Sequence, residues 1–191
     1  ITATDVTEQR RAEIARELTE VRFRTMANNA AVIMWMTDAK GRTTFFNQPF
    51  RAFCGEIVGS AKGEPWKELI HPEDRTTLDE VHREALLNQH AYTTEYRLRR
   101  ADGEYRWLSS TSVPRFGPNG EFIGFSGSAT DITEIKAQQE ALKTHSEQLE
   151  LLFEGLPHGV CLYDHALRIV AFNKRYGDLF EFPKGLVEIG M

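Results

Sequence analysis

Between Tyr92 and Asp131 the chain alternates side-chain character through three successive runs, and this ribbon limits the fold more than any other stretch. The runs are Tyr92–Arg100, Tyr105–Val113 and Phe122–Thr130. In the first, Tyr92, Thr94, Tyr96 and Leu98 fall on one side, with Glu95, Arg97 and Arg99 on the other. In the second, Tyr105, Trp107, Ser109, Thr111 and Val113 alternate with Arg106, Leu108, Ser110 and Ser112. A period of two marks strands of an antiparallel sheet with unlike faces. Ala101-Asp102-Gly103 and Gly117-Pro118-Asn119-Gly120 separate the runs, and their Asp-Gly and Asn-Gly pairs supply the positive φ of tight hairpins. The third run leads into Asp131-Ile132-Thr133-Glu134. An Asp three residues before a Glu predicts a capping box at the start of a charged helix.

A repeat crosses this ribbon. Ala3-Thr4-Asp5-Val6-Thr7-Glu8 returns as Ala129-Thr130-Asp131-Ile132-Thr133-Glu134, an offset of 129 − 3 = 126. At the same offset Asp38 meets Asp164, Phe46 meets Phe172, Asn47 meets Asn173 and Phe50 meets Tyr176. Ungapped self-similarity of this kind predicts tandem modules. The boundaries expected are 1–25 for the end of an upstream module with its linker helix and 26–131 for a complete domain. A linker helix over 132–154 and the N-terminal half of a further module over 155–191 follow.

Within the complete module, Ala31–Asp38 reads as a buried strand and Arg42–Asn47 as its hairpin partner. Asn47-Gln48-Pro49 is a helix start, with Asn as N-cap and Pro close behind. Gly55 to Gly63 is loop-like, and Pro65–Ile70 is a short apolar element. His71-Pro72-Glu73-Asp74 opens a longer helix to about Gln89, its acidic residues favoured by the helix dipole. Leu78, Val81, His82, Ala85 and Leu86 share one face of it. The fold class is α+β: a five-stranded antiparallel sheet with short helices and one longer helix on one face. Linker helices flank it. Ile14, Leu18 and Val21 form a stripe in the first linker, and Ile135, Leu142, Leu149 and Leu152 form one in the second. The second is compatible with a parallel coiled coil; a helix lying against its own domain is the alternative.

The 191 residues, with 41% hydrophobic content and net charge −5, suit a globular core with extensions. No apolar run approaches the roughly 18 residues of a membrane span, and the first residues form no signal peptide. The acidic balance argues against nucleic acid as partner. Cys54 and Cys161 sit in apolar segments and are expected as buried thiols of a reducing compartment, hence a cytoplasmic location.

These residues resemble a PAS domain with its C-terminal PAC motif. The resemblance is carried by Ile70-His71-Pro72-Glu73-Asp74-Arg75, by Glu95-Tyr96-Arg97 through Arg100-Ala101-Asp102-Gly103 to Trp107, by Gly124 and Gly127, and by Asp131-Ile132-Thr133. The segments Leu156-Pro157-His158-Gly159-Val160 and Phe182-Pro183-Lys184-Gly185-Leu186 are similar to PAS domains of bacterial hybrid sensor histidine kinases. The resemblance implies a sensory or relay module of a bacterial two-component system. Its expected partners are a second copy, through the linker helices, neighbouring PAS modules and a C-terminal output domain. A ligand-free dimerisation spacer and the input domain of a nucleotide or diguanylate cyclase are the alternatives.

No catalytic or metal-ligating signature stands out, so this stretch is expected to be non-enzymatic within a histidine kinase parent. His82 and His145 lack the nearby Pro of the family's phosphoacceptor sites. Asn47, Phe53, Trp66, His82, Tyr96 and Phe125 are the candidate pocket residues, with Trp35, Phe46 and Trp107 as further aromatics. Core filling is the plain alternative for all of them, and Trp107 has the further option of the outer face, under a flanking helix. No cofactor is expected. Haem is the first alternative, because haem-binding members carry their ligand on the helix corresponding to that of His82. Flavin is the second, although Gly59 to Asp74 has no cysteine for adduct chemistry. Asp131 and Thr133 are expected to satisfy free N–H groups at the helix start and, with Trp107, to relay changes from sheet to linker. The half-module is expected to expose Val160, Leu162, Ile169, Val170 and Phe172, and to be either disordered or covered by a second copy.

Overall fold

The computed structural model describes residues 3–55 and 65–180, and the chain divides into two units, 1–134 and 135–191. In the first, five strands form one antiparallel sheet: β1 (Ile33–Thr37), β2 (Thr43–Phe46), β3 (Tyr92–Arg99), β4 (Tyr105–Phe116) and β5 (Phe122–Asp131). Their order across the sheet is β2-β1-β5-β4-β3. The alternation in the sequence predicts this sheet, and its three long strands lie side by side as consecutive hairpins require. Around it run α1 (Ala3–Asn29), α2 (Gln48–Cys54), a 3-10 turn (Pro65–Leu69) and α3 (Pro72–Asn88). Most of the expected loop after Gly55 lies outside the described residues.

One sheet face is covered. Ile33, Tyr96, Leu98, Leu108 and Ala129 from the strands meet Phe50, Cys54 and Leu78 from the helices and Ile70, which bridges to Leu98. These side chains are removed from water by each other, which is the main drive for layering helices on a sheet. Leu78 and Ala85 form the buried stripe of α3, and Val81, His82 and Leu86 flank it half-buried.

β4 runs three residues further than its alternation predicts, through Pro114. Proline is tolerated because β3 pairs with β4 only from Ser112 back to Tyr105. Past Ser112 that side of β4 is an edge, so the missing N–H costs no ladder bond, while β5 still pairs on the other side. β1 is shorter than predicted, and only Ile33 and Thr37 are fully buried in it. Trp35 lies opposite Gly127, where a Cβ would meet its ring at 2.3 Å. Glycine there is the condition for the indole to lie across the strand.

The second unit continues α4 (Thr133–Gly155), followed by the hairpin β6 (Cys161–Tyr163) and β7 (Ile169–Phe172) and by α5 (Lys174–Phe180). The expected disorder is therefore not what residues 155–180 adopt. Leu162 and Val170 are exposed, whereas Val160, Ile169 and Phe172 are half-buried. Cys161 is half-buried rather than buried; among the described residues the 3-residue strand β6 pairs with β7 alone. Cys54 is buried, and desolvation pushes its thiol up to about 12.

The repeat holds at the level of single hydrogen bonds. Asn47 Oδ1 accepts from Met34 N and Phe50 N, and its Nδ2 donates to Ala27 O and Val32 O. Asn173 Oδ1 accepts from Val160 N and Tyr176 N, and its Nδ2 donates to Phe153 O and His158 O. Each partner is displaced by the same 126 residues. Asp38 and Asp164 likewise each accept two backbone N–H groups in their hairpin turns. The N-terminal sextet does not follow suit. Its first copy lies in helix α1, while the second ends β5, held there by pairing of Ala129, Thr130 and Asp131 with β4.

The stripes Ile14-Leu18-Val21 and Ile135-Leu142-Leu149-Leu152 are all half or more exposed. Among the described residues, no helix is long and apolar enough to cross a membrane.

Candidate functional site

A cavity of about 250 Å³ lies between the covered face of the sheet and the helices. Its walls are Ile33, Trp35, Thr37 and Phe46 of the β1–β2 hairpin, Phe50 of α2, and Tyr92, Tyr96, Leu108, Ser110 and Phe125 of the longer strands. Trp66, His82 and Leu86 close it from the helical side, and Lys40, Lys67, Asp79 and Arg83 bring charge to its lining. Tyr92 stands edge-on to His82 at 5.4 Å and to Phe125 at 5.7 Å. Burial raises the phenols of Tyr92 and Tyr96 above the ordinary tyrosine range. The Trp66 indole N–H is buried and has no hydrogen-bond acceptor among the described residues. Such a group is costly unless an acceptor arrives.

Of the candidate pocket residues, Trp66, His82, Tyr96 and Phe125 line this cavity, as do Trp35 and Phe46. Asn47 does not, although it is fully buried. All four of its hydrogen bonds go to backbone groups, which leaves nothing for a ligand. Phe53 also lies outside the lining; it packs on the core from the half-buried side of α2. At about 250 Å³ the cavity lies just below the roughly 300–1,000 Å³ of typical ligand pockets. Among the described residues no group of His, Cys, Asp and Glu could hold a metal ion.

The opposite face carries a second constellation. Trp107 is there, because Leu108 and Ser110 take the inward positions of β4. The Arg97 guanidinium lies 5.1 Å from the Trp107 ring centre, within cation–π range. The same guanidinium pairs with Asp74 at 2.7 Å and Glu73 at 2.8 Å, both in the first turn of α3. Arg97 N also donates to Asp74 Oδ2. The hydrogen bonds from Arg97 hold the carboxyls of Asp74 and Glu73 below the usual carboxylate range.

From Trp107 the connection continues to the outgoing helix. Trp107 N donates to Thr133 Oγ1 at 2.9 Å, and Ile132 N donates to Trp107 O at 2.8 Å. Asp131 Oδ1 accepts from Thr133 N at 2.9 Å. The predicted cap thus differs in detail. Asp131 still belongs to β5 and takes a helix-start N–H, but the Thr133 hydroxyl reaches back to β4 instead of capping its own helix. An unbroken line of contacts therefore runs from α3 through Arg97 and Trp107 to Thr133. Sequence reasoning named Trp107 and Thr133 but missed Arg97 and Asp74. Only the outward position of Arg97 in the alternation, one strand away from Trp107, could have suggested it.

The chain belongs to the PAS family: a PAS-fold model matches residues 43–129, and a second PAS-fold model matches 153–191. It is 34% identical over 142 residues to the uncharacterized protein y4lL of Sinorhizobium fredii, covering 74% of this chain and 17% of the relative. It is 28% identical over 173 residues to the probable diguanylate cyclase DgcE of Escherichia coli, covering 88% and 15%. It is 24% identical over 188 residues to the two-component sensor PprA of Pseudomonas aeruginosa, covering 96% and 20%. The chain thus spans a fifth or less of the length of these relatives. The structure of an RNA-binding light-oxygen-voltage receptor shares its fold, at TM-score 0.52 and 22% identity, over 69% of this chain and 38% of that one. The chain is a PAS signalling module.

Proposed function

We propose that residues 26–131 form the central sensory or relay domain of a multi-PAS protein and pass a change in the sheet to the linker helix 132–154. The observation that carries this reading is the bond from Trp107 N to Thr133 Oγ1, which fastens the start of α4 to the inner strand β4. A shift of β4, whether set off in the cavity or at α3, moves the anchor of the helix. Such a device works by favouring one of two arrangements of a packed element. The parent protein is a cytoplasmic sensor histidine kinase that dimerises through the exposed stripes of its linker helices; the likeness to the sensor PprA supports this. A diguanylate cyclase is the second reading, favoured by the likeness to DgcE. Residues 1–25 and 155–191 belong to the neighbouring modules.

The test is Asp131→Ala in the full-length protein, with autophosphorylation and cyclic di-GMP synthesis both measured. Loss of the Asp131–Thr133 contact is expected to change output several-fold while the thermal transition of the domain moves by only a few degrees. Unchanged output in both assays would defeat the relay reading. A domain that melts far earlier would mean that the cap is structural only.

A further inference from the structure

The four-bond asparagine described above occurs twice, and in both places one bond leaves the hairpin for the helix that precedes it. Asn47 Nδ2 reaches Ala27 O at 2.8 Å, in the last turn of α1. Asn173 Nδ2 reaches Phe153 O at 3.1 Å, in the last turn of α4. Carbonyls of a last turn lack the regular helical donor four residues on, and Ala27 O, which receives Ala30 N at 3.4 Å, gains a shorter bond from the amide. Ala27 is 3% exposed, so water does not serve it well. A second contact backs each of these. Gln48 N donates to Asn28 Oδ1 at 2.9 Å, and Lys174 N donates to Glu154 Oε2 at 2.9 Å.

We infer that Asn47 and Asn173 are input couplers: each grips the end of the incoming helix and makes the conformation of its own β-hairpin depend on that helix. The side-chain chemistry explains the choice of residue. An amide of this length offers two donors and two acceptor sites on one planar group. The acceptor side fixes Met34 N and Phe50 N, which sets the hairpin and starts α2. The donor side fixes Ala27 O and Val32 O, which sets the helix end and the entry to β1. A rotation of the helix end that pulls on the donors must turn the acceptors with them. The inference extends the relay reading, with α4 tied to β4 near its start through Thr133 and to the next hairpin near its end through Asn173. Its test does not use Thr133, so the two can fail separately.

The test is a double-mutant cycle on the 191-residue chain. Arg22→Gly loosens α1 at an exposed position, because glycine favours unwinding. Asn47→Asp keeps the acceptor oxygen and removes both amide donors. Amide hydrogen exchange is read at Met34 and Phe50. In the native background, Arg22→Gly is expected to speed exchange at both sites at least about threefold, the size of a small coupling between residues in one network. In the Asn47→Asp background, the same substitution is expected to change those rates by less than about 1.5-fold. Equal effects in the two backgrounds would overturn the inference, as would no effect in either. A mere core role for Asn47 predicts that equality, because it leaves the two substitutions additive. Should Asn47→Asp fail to fold, Asn28→Ala replaces it, since it removes only the exposed supporting contact. It must then lower the response at Phe50 at least about twofold, or the inference falls.

Discussion

Thr133→Val removes one atom's function and little of its volume. The Thr133 hydroxyl accepts from Trp107 N at 2.9 Å, and valine presents a methyl group in its place. A buried N–H left without a partner costs about 1–3 kcal/mol. Trp107 is half-buried, so solvent recovers part of that cost and the expected loss is about 1–1.5 kcal/mol. At a factor of ten for about 1.4 kcal/mol, the Trp107 amide should then exchange roughly 5- to 12-fold faster. The assay is hydrogen exchange followed by NMR, with Ser110 and Ser112 of the same strand as internal references. Both are buried and lie away from the helix start, so their rates should stay within about twofold of native. Thr133→Ser keeps the oxygen and should hold the Trp107 amide near its native rate. If Thr133→Val leaves Trp107 unchanged, or if Thr133→Ser behaves like it, the hydroxyl does not hold the helix start and the relay loses its anchor.

Two further outcomes follow from other parts of the domain. The Asp74 carboxyl is held below its ordinary value of 3.8 by Arg97, so the folded state prefers it charged. Its contribution is fully present above that ordinary value and disappears as pH falls through the lower folded one. Denaturant titrations from pH 6 downward should show stability declining below about pH 4, and Asp74→Asn should flatten that decline. Gly124→Ala should destabilise the domain by about 2–4 kcal/mol in the same assay, by strain and by clash. Gly124 has φ +121°, and a Cβ there would sit 2.1 Å from Thr37 O.

How far the fold was legible depended on which force shaped each part. The period of two in Tyr92–Leu98 and in Arg106–Ser112 is set by burial on one face alone, so it could be read directly. The end of β4 could not, since Pro114 reads as a breaker until the absence of β3 beyond Ser112 is known. The site divided in the same way. Trp66, His82, Tyr96 and Phe125 were accessible as aromatics on inward positions, and they do meet around one space. Asn47 was misplaced among them because a buried polar side chain invites a ligand, and sequence does not show backbone partners. Its twin Asn173 at the same offset was the available signal that its partners are backbone groups of the repeat rather than a ligand. Arg97 escaped because its partners, Asp74 and Trp107, come from a helix and a neighbouring strand, and no local pattern joins them.

The matching asparagines also bear on how such chains grow. A joint that uses the same five groups every 126 residues behaves like a standard coupling between cassettes. A cassette cut and pasted with the segment 27–50 intact carries both halves of its coupling with it and needs no retuning of its neighbour. Recombination could then lengthen or shorten the array in whole steps, and each new member would arrive with its mechanical connection already made.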